Sequence, residues 1–246
     1  MRSLLSSGSM GGASSGLRAV RPYPGSTTKY SMLHVLNHPL SAHILTHLRD
    51  RTTKPAIFRT LAYQVSLLLA LEATRDLATE DHVIDTPLEK ATGRVLARPL
   101  AVIPILRAGL GMVQPFTDLF PDVSVGYVGL ERDHFTAVAR SYYQKLPLLA
   151  GKRVIAVDPM LATGGSAVQA LDVLRAEGAT ELYLVCIVSS PEGIRVVEAA
   201  HPTVPIFTAA LDRELNDMKY ILPGLGDFGD RLYGTEADSR ILPRHN

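Results

Sequence analysis

Asp158-Pro-Met-Leu-Ala-Thr163-Gly164-Gly165-Ser166 sets one carboxylate ahead of two hydroxyls and two glycines. Four apolar residues, Val154 to Val157, precede it, as a strand covered on both faces requires. After Ser166 the apolar positions 168, 171 and 174 share one helical face, and the pattern stops at Gly178. A strand, a turn and a helix start are therefore expected here. Such a turn offers main-chain N–H groups and the positive end of a helix, which together favour an anion. Asp158, just upstream, can accept hydrogen bonds from sugar hydroxyls. A phosphate beside a ribose diol is the ligand this chemistry suggests. Two further polar turns also follow apolar runs: Arg107-Ala-Gly109 and Glu131-Arg132-Asp133. Alone, Arg107 reads as a surface ion-pair partner; after a strand and beside two glycines it reads as functional.

Two better-known phosphate loops are excluded. A Walker A loop needs Lys directly after its last glycine, and here Ser166 follows Gly165. A dinucleotide-like match occurs at Gly224-Leu-Gly226-Asp-Phe-Gly229, but the sequence suggests neither a strand before it nor a helix after it.

The elements that must position these residues follow from periodicity. Helices are expected over Pro39–Asp50 and over Pro55–Ala78, the second with Phe58, Leu61, Val65, Leu68 and Leu69 on one stripe. From residue 99 onward strands and helices alternate. Strands are expected at 100–105, 123–130, 154–157, 182–188 and 206–210, and helices at 110–119, after 166 and at 191–200. This is an α/β pattern, a mostly parallel twisted sheet flanked by helices, with ligands beyond the carboxyl ends of the strands. Residues 133–147 break the alternation and read as a hairpin or flap.

The chain has 246 residues, 46% hydrophobic, with net charge +1. It can bury one good core, and nothing in its charge marks a nucleic-acid surface. No apolar run approaches the roughly 18 residues of a membrane span, so no membrane partner is expected. The lone Cys186 excludes an intrachain disulfide and fits a reducing cytoplasm. Residues 1–30 are rich in Ser and Gly and carry no carboxylate. They are expected to be a disordered extension ahead of a single domain at 31–246; the alternative is a transit peptide, for which the apolar face is poor.

Val102-Ile-Pro104-Ile-Leu106-Arg107-Ala-Gly109-Leu-Gly111-Met112, the 158–166 turn and Tyr220-Ile-Leu-Pro-Gly-Leu-Gly226-Asp227-Phe228-Gly229-Asp230-Arg231 together resemble uracil phosphoribosyltransferase. So do Tyr143-Gln-Lys145-Leu146, Pro191-Glu-Gly193 and Leu215-Asn216, in consistent order from about His34 to Thr235. The resemblance implies a type I phosphoribosyltransferase fold with a small hood. It also implies transfer of the phosphoribosyl group of 5-phosphoribosyl-1-pyrophosphate (PRPP) to uracil, giving UMP and pyrophosphate. Magnesium carried mainly by PRPP, a homodimer or homotetramer, and a GTP effector in some members are implied too. By the same resemblance Asp158, Pro159, Met160, Leu161, Ala162, Thr163, Gly164, Gly165 and Ser166 hold the ribose 5-phosphate. Arg107 and Arg132 meet the pyrophosphate. Ile221, Gly226, Asp227 and Phe228 hold uracil, largely through main-chain groups, with Asp227 also facing PRPP. Phe228 stands where many bacterial members have Ala, and a larger wall there is expected to stack on the base or tighten the pocket.

These types suit the reaction. Arginines and magnesium stabilise charge developing on departing pyrophosphate, and the cradle holds the non-reacting end of PRPP in register. Asp227, a water or a pyrophosphate oxygen can take the uracil N1 proton. Competing readings are an RNA-binding regulator, an inactive partner on the same fold, or a transferase for another base. The charge balance and the intact turn argue against the first two, and the 221–228 turn against the third. His34/His38 and His43/His47 have i,i+4 spacing but read as solvated helix positions. Arg49, Arg51 and Arg59 read as a solvated face, with an effector site as the alternative.

Overall fold

The computed structural model describes residues 31–132 and 139–235, with main chain alone at 131–132 and 139–141. Its centre is a sheet built from β1 (Leu33–Val35), β4 (Leu100–Leu106), β5 (Ser124–Val125), β6 (Tyr127–Arg132), β7 (Ala139–Lys145), β8 (Arg153–Val157), β9 (Met160–Leu161), β10 (Glu181–Ser189) and β11 (Ile206–Leu211). Its main path runs β1-β11-β10-β8-β4-β6-β7. Every pairing is parallel except β6 with β7. Strands β4, β8 and β10 read as continuous apolar runs because both their faces are covered.

Alternate residues of these strands feed two cores. Val102, Ile155, Val157, Val185 and Phe207 meet α2 (Pro55–Ala73) through Phe58, Val65 and Leu69. Ala101, Ile103, Val154, Ala156 and Leu184 meet α4 (Gly165–Ala176) and α5 (Pro191–Ala200). The remaining helices are α1 (Pro39–Arg49), α3 (Val113–Leu119) and α6 (Phe228–Tyr233). The short pair β12 (Glu214–Leu215) and β13 (Ile221–Leu222), with α6, caps the carboxyl end of the sheet.

Several expectations need correction. Helix α2 ends at Ala73 instead of Ala78: Thr74 closes it by donating its hydroxyl to Ala70 O at 2.6 Å, and turns follow. At 19 residues α2 is also apolar and long enough to cross a membrane, contrary to the hydropathy reading. Its buried stripe faces the sheet. The strand expected at 123–130 breaks at Gly126 into β5 and β6, where a Cβ would lie 2.7 Å from Pro147 and 2.8 Å from Ile103. The helix expected from 110 begins as a 3-10 turn at Ala108–Met112. An antiparallel ribbon, β2 (Thr79–Asp85) and β3 (Lys90–Leu96), was not expected at all, because most of both strands is solvent-exposed and neither alternates in hydropathy. His34 lies on β1, stacked on Phe207, and His38 caps α1, so these two do not share a helix. The tip of the 133–147 hairpin and residues 1–30 lie outside the described residues, while β6 and β7 form the hairpin's antiparallel strands.

Candidate active site

Sheet order brings the carboxyl ends of five neighbouring strands into one row: β6 ending in Arg132, β4 before Arg107, β8 before Asp158, β10 before Ser190 and β11 before Asp212. The strand ends that lead into the three polar turns singled out from sequence therefore lie side by side. The Arg107 loop is drawn against β8 by Gly109, where a Cβ would sit 2.5 Å from Val157 O. Only glycine fits that approach. Arg132 ends β6 opposite Ala139, and its side chain lies outside the described residues.

The 158–166 turn forms a depression lined by Asp158, Met160, Leu161, Ala162, Thr163, Gly164, Ser166 and Ala167. Pro159 and Gly165 do not line it. Pro159 instead serves the scaffold, its carbonyl accepting from Ile187 N at 3.1 Å and Val188 N at 3.0 Å. Gly164 caps α4 with φ +84°, a conformation open to glycine, and no side chain caps the helix. The first-turn N–H groups are thus left to a ligand or to water. Asp158 is half-buried, its Oδ1 3.5 Å from Met160 N.

Two residues that sequence reasoning did not assign hold this turn. Ser190 N–H donates to Leu161 O at 2.9 Å, and its hydroxyl donates to Ala162 O at 2.6 Å while accepting from Gly193 N at 2.9 Å. At Gly193 a Cβ would lie 2.5 Å from Ala162 O, so the start of α5 packs directly on the turn. The Ser190-Pro191 pair was legible as a helix start, but its grip on residue 162 was not.

The 221–228 turn lies beside the end of β11, where Gly224 N–H donates to Asp212 Oδ2 at 2.8 Å. Gly224 and Gly226 have φ +60° and +82°, and Asp227 caps α6 by accepting from Asp230 N at 2.9 Å. A short helix does open here, correcting the expectation of none. Its six residues are reached from a two-residue strand, not from a βαβ unit. Phe228 does not form a wall for a base: its ring is buried in the core, edge-on to Phe58 at 5.2 Å between centroids. Ile221 is buried, whereas Gly226 and Asp227 are exposed. Tyr233 on α6 reaches back to Arg107 O at 3.3 Å and so links the two turns.

Of the three arginines read as a solvated face, Arg51 and Arg59 are exposed, Arg59 also donating to Leu232 O at 2.9 Å, whereas Arg49 is partly buried and pairs with Asp212, its Nη2 2.6 Å from Oδ1. Arg231 donates to Leu48 O, to Leu225 O at 2.7 Å and to Asp50 O at 2.6 Å, and its guanidinium lies 4.5 Å from the Phe58 ring centre. Burial pushes its pKa down from the ordinary arginine value. His43 and His47 are close neighbours on α1, and no cluster of three metal-ligating side chains occurs among the described residues. Burial also pushes the Cys186 thiol well up, as a small core residue requires.

A mostly parallel sheet with helices on both faces, an uncapped helix start behind one carboxylate, and the β12–β13 pair with α6 over the same edge fit the type I phosphoribosyltransferase fold expected from the sequence. The model of the uracil phosphoribosyltransferase family matches residues 35–235, and the chain belongs to that family. It is 52% identical to uracil phosphoribosyltransferase of Bacillus thuringiensis (strain Al Hakam) over 206 residues, 83% of this chain and 99% of that one. It is 51% identical, over the same shares, to the enzyme of Bacillus cereus (strain B4264). The AQ2163 protein of Aquifex aeolicus superposes with a TM-score of 0.80 at 34% identity, covering 84% of this chain and 100% of that one.

Proposed function

We propose that this enzyme transfers the phosphoribosyl group of PRPP to N1 of uracil, with residues 158–166 holding the ribose 5-phosphate and residues 221–228 the base. The observation that carries the site assignment is the braced, uncapped turn behind Asp158, set in the same row of strand ends as Arg107. The bond from C1′ to pyrophosphate breaks as the bond from C1′ to N1 forms, and the N1 proton leaves. Arg107 and Arg132 stabilise the charge gathering on pyrophosphate. Asp158 orients the ribose through its hydroxyls, and the turn's N–H groups hold the phosphate in register. Asp227 keeps one oxygen on its helix cap and takes the N1 proton on the other.

A magnesium ion fits as one carried by PRPP, because such ions are held by one or two carboxylates plus substrate phosphates, and Asp158 is the carboxylate at hand. Bound there, it would neutralise charge on the leaving group. Uracil presents O2, N3–H and O4, a pattern that main-chain N–H and C=O groups of a turn can match. Cytosine would leave such groups unpaired, a mismatch worth up to roughly 10⁴-fold.

The pairing of two copies is supported by the β2–β3 ribbon, which projects Val83, Ile84, Leu88, Val95 and Leu96 into solvent. A GTP effector would fall to Arg51, since Arg49 and Arg59 are occupied within the fold. A cytoplasmic location accords with the free, buried Cys186.

The test is product formation from PRPP and magnesium with uracil, cytosine, hypoxanthine and orotate in parallel. UMP from uracil alone is expected. Turnover of another base in preference to uracil, or of none, overturns the reading.

A further inference from the structure

Gly224 stands at the bend of the base turn, buried, and both its N–H and its carbonyl are claimed from outside the turn. Its N–H donates to Asp212 Oδ2 at 2.8 Å, and its carbonyl accepts from Arg49 Nη1 at 2.7 Å. The same guanidinium meets the same carboxylate twice, Nη1 to Oδ2 at 2.8 Å and Nη2 to Oδ1 at 2.6 Å. One guanidinium, one carboxylate and the main chain of one glycine therefore close a ring. The Asp212 side chain is 5% exposed and that of Arg49 25%, so the ring is largely shielded from competing water. Asp212 is itself fixed, its N–H donating to Ser189 O at 2.8 Å beside the end of β10. The ring ties the last residue of α1, the end of β11 and the base turn into one unit. A Cβ on Gly224 would sit 2.2 Å from Ile221 O, so only glycine fits this bend.

We propose that Arg49 and Asp212 are positioning residues for base recognition, and the proposal rests on the reading that residues 221–228 hold uracil. Main-chain groups that read a base have no rotamers to adjust. Their aim is set wholly by how the turn is held, and a displacement of about 1 Å costs on the order of 10²-fold. Arginine suits the task because its planar fork spans the carboxylate and the Gly224 carbonyl together, which the single ammonium of lysine cannot do.

The test is steady-state kinetics of Arg49→Lys, Asp212→Asn and Gly226→Ala, with each substrate varied and a circular-dichroism melt of each variant. The first two variants raise the KM for uracil about tenfold or more, leave the KM for PRPP within about twofold and lower kcat little. Arg49→Ala exceeds Arg49→Lys. Gly226→Ala alters the turn itself and raises the uracil KM independently of the ring. A wild-type uracil KM in folded Arg49→Lys and Asp212→Asn, while Gly226→Ala is impaired, overturns the positioning role and leaves the base turn standing. Equal rises in both KM values overturn it too, since they mark a general loosening. A wild-type uracil KM in Gly226→Ala removes the base turn, and the proposal with it.

Discussion

The two turns at the carboxyl end of the sheet are held by different means. Residues 158–166 are fixed by main chain and by residues of the next strand and helix: Pro159 O on β10, Ser190 on Leu161 and Ala162, Gly193 packed beneath. Residues 221–228 are fixed by long side chains that span distant parts of the sequence, Arg49 through Asp212 and Arg231, on the adjoining α6, to Leu48 and Asp50. A phosphate needs a dense set of N–H groups, which a helix start supplies wherever it occurs. A flat base needs donors and acceptors in one particular order, and a turn carrying that order must be held in place from outside.

The largest effects belong to the phosphate side. Asp158→Ala and Arg107→Ala are each expected to lower kcat/KM by about 10²–10³ while the protein still folds, since each is proposed to hold PRPP. Wild-type turnover in both would break the site assignment. Asp227→Asn follows: asparagine caps a helix as well as aspartate, so folding should persist while kcat falls by about 10²-fold if the carboxylate takes the proton. An unchanged kcat would reduce Asp227 to a helix cap.

Gly193→Ala sharpens the contrast between the two braces. Its new Cβ must displace Ala162 O, and overpacking of this kind costs about 1–3 kcal/mol. The KM for PRPP should rise and the KM for uracil should not, the reverse of the Arg49 variants.

The smallest effect is one of pH. Burial holds the His34 pKa below its ordinary value of 6.5. The unfolded chain therefore takes up a proton that the folded one resists, so stability is lost as pH falls below about 6.5. His34→Phe should flatten that part of the melting-temperature profile; an identical slope in both proteins would contradict the assignment.

What could be read in advance divides along the same line. The 158–166 turn was legible because strand, carboxylate, glycines and helix start are contiguous, and the sheet because β4, β8 and β10 are unbroken apolar runs. The ring of Arg49, Asp212 and Gly224 has no local signature: its members are separated by 163 and 12 positions, and an arginine closing a helix is ordinarily solvated. Phe228 misled for a related reason. A phenylalanine in a glycine-rich turn suggests a stacking surface, but α6 begins at that residue and turns the ring onto Phe58. The ribbon escaped notice because a strand pair exposed over most of its length carries no hydrophobic period.

The central claim is that one pocket is made from these two separately braced turns. A crystal structure of the enzyme with UMP tests it most directly. The 5′-phosphate is expected on the main-chain N–H groups of 163–166, and the uracil edge against the main chain of 221–228. UMP bound with its phosphate away from that helix start would contradict the account.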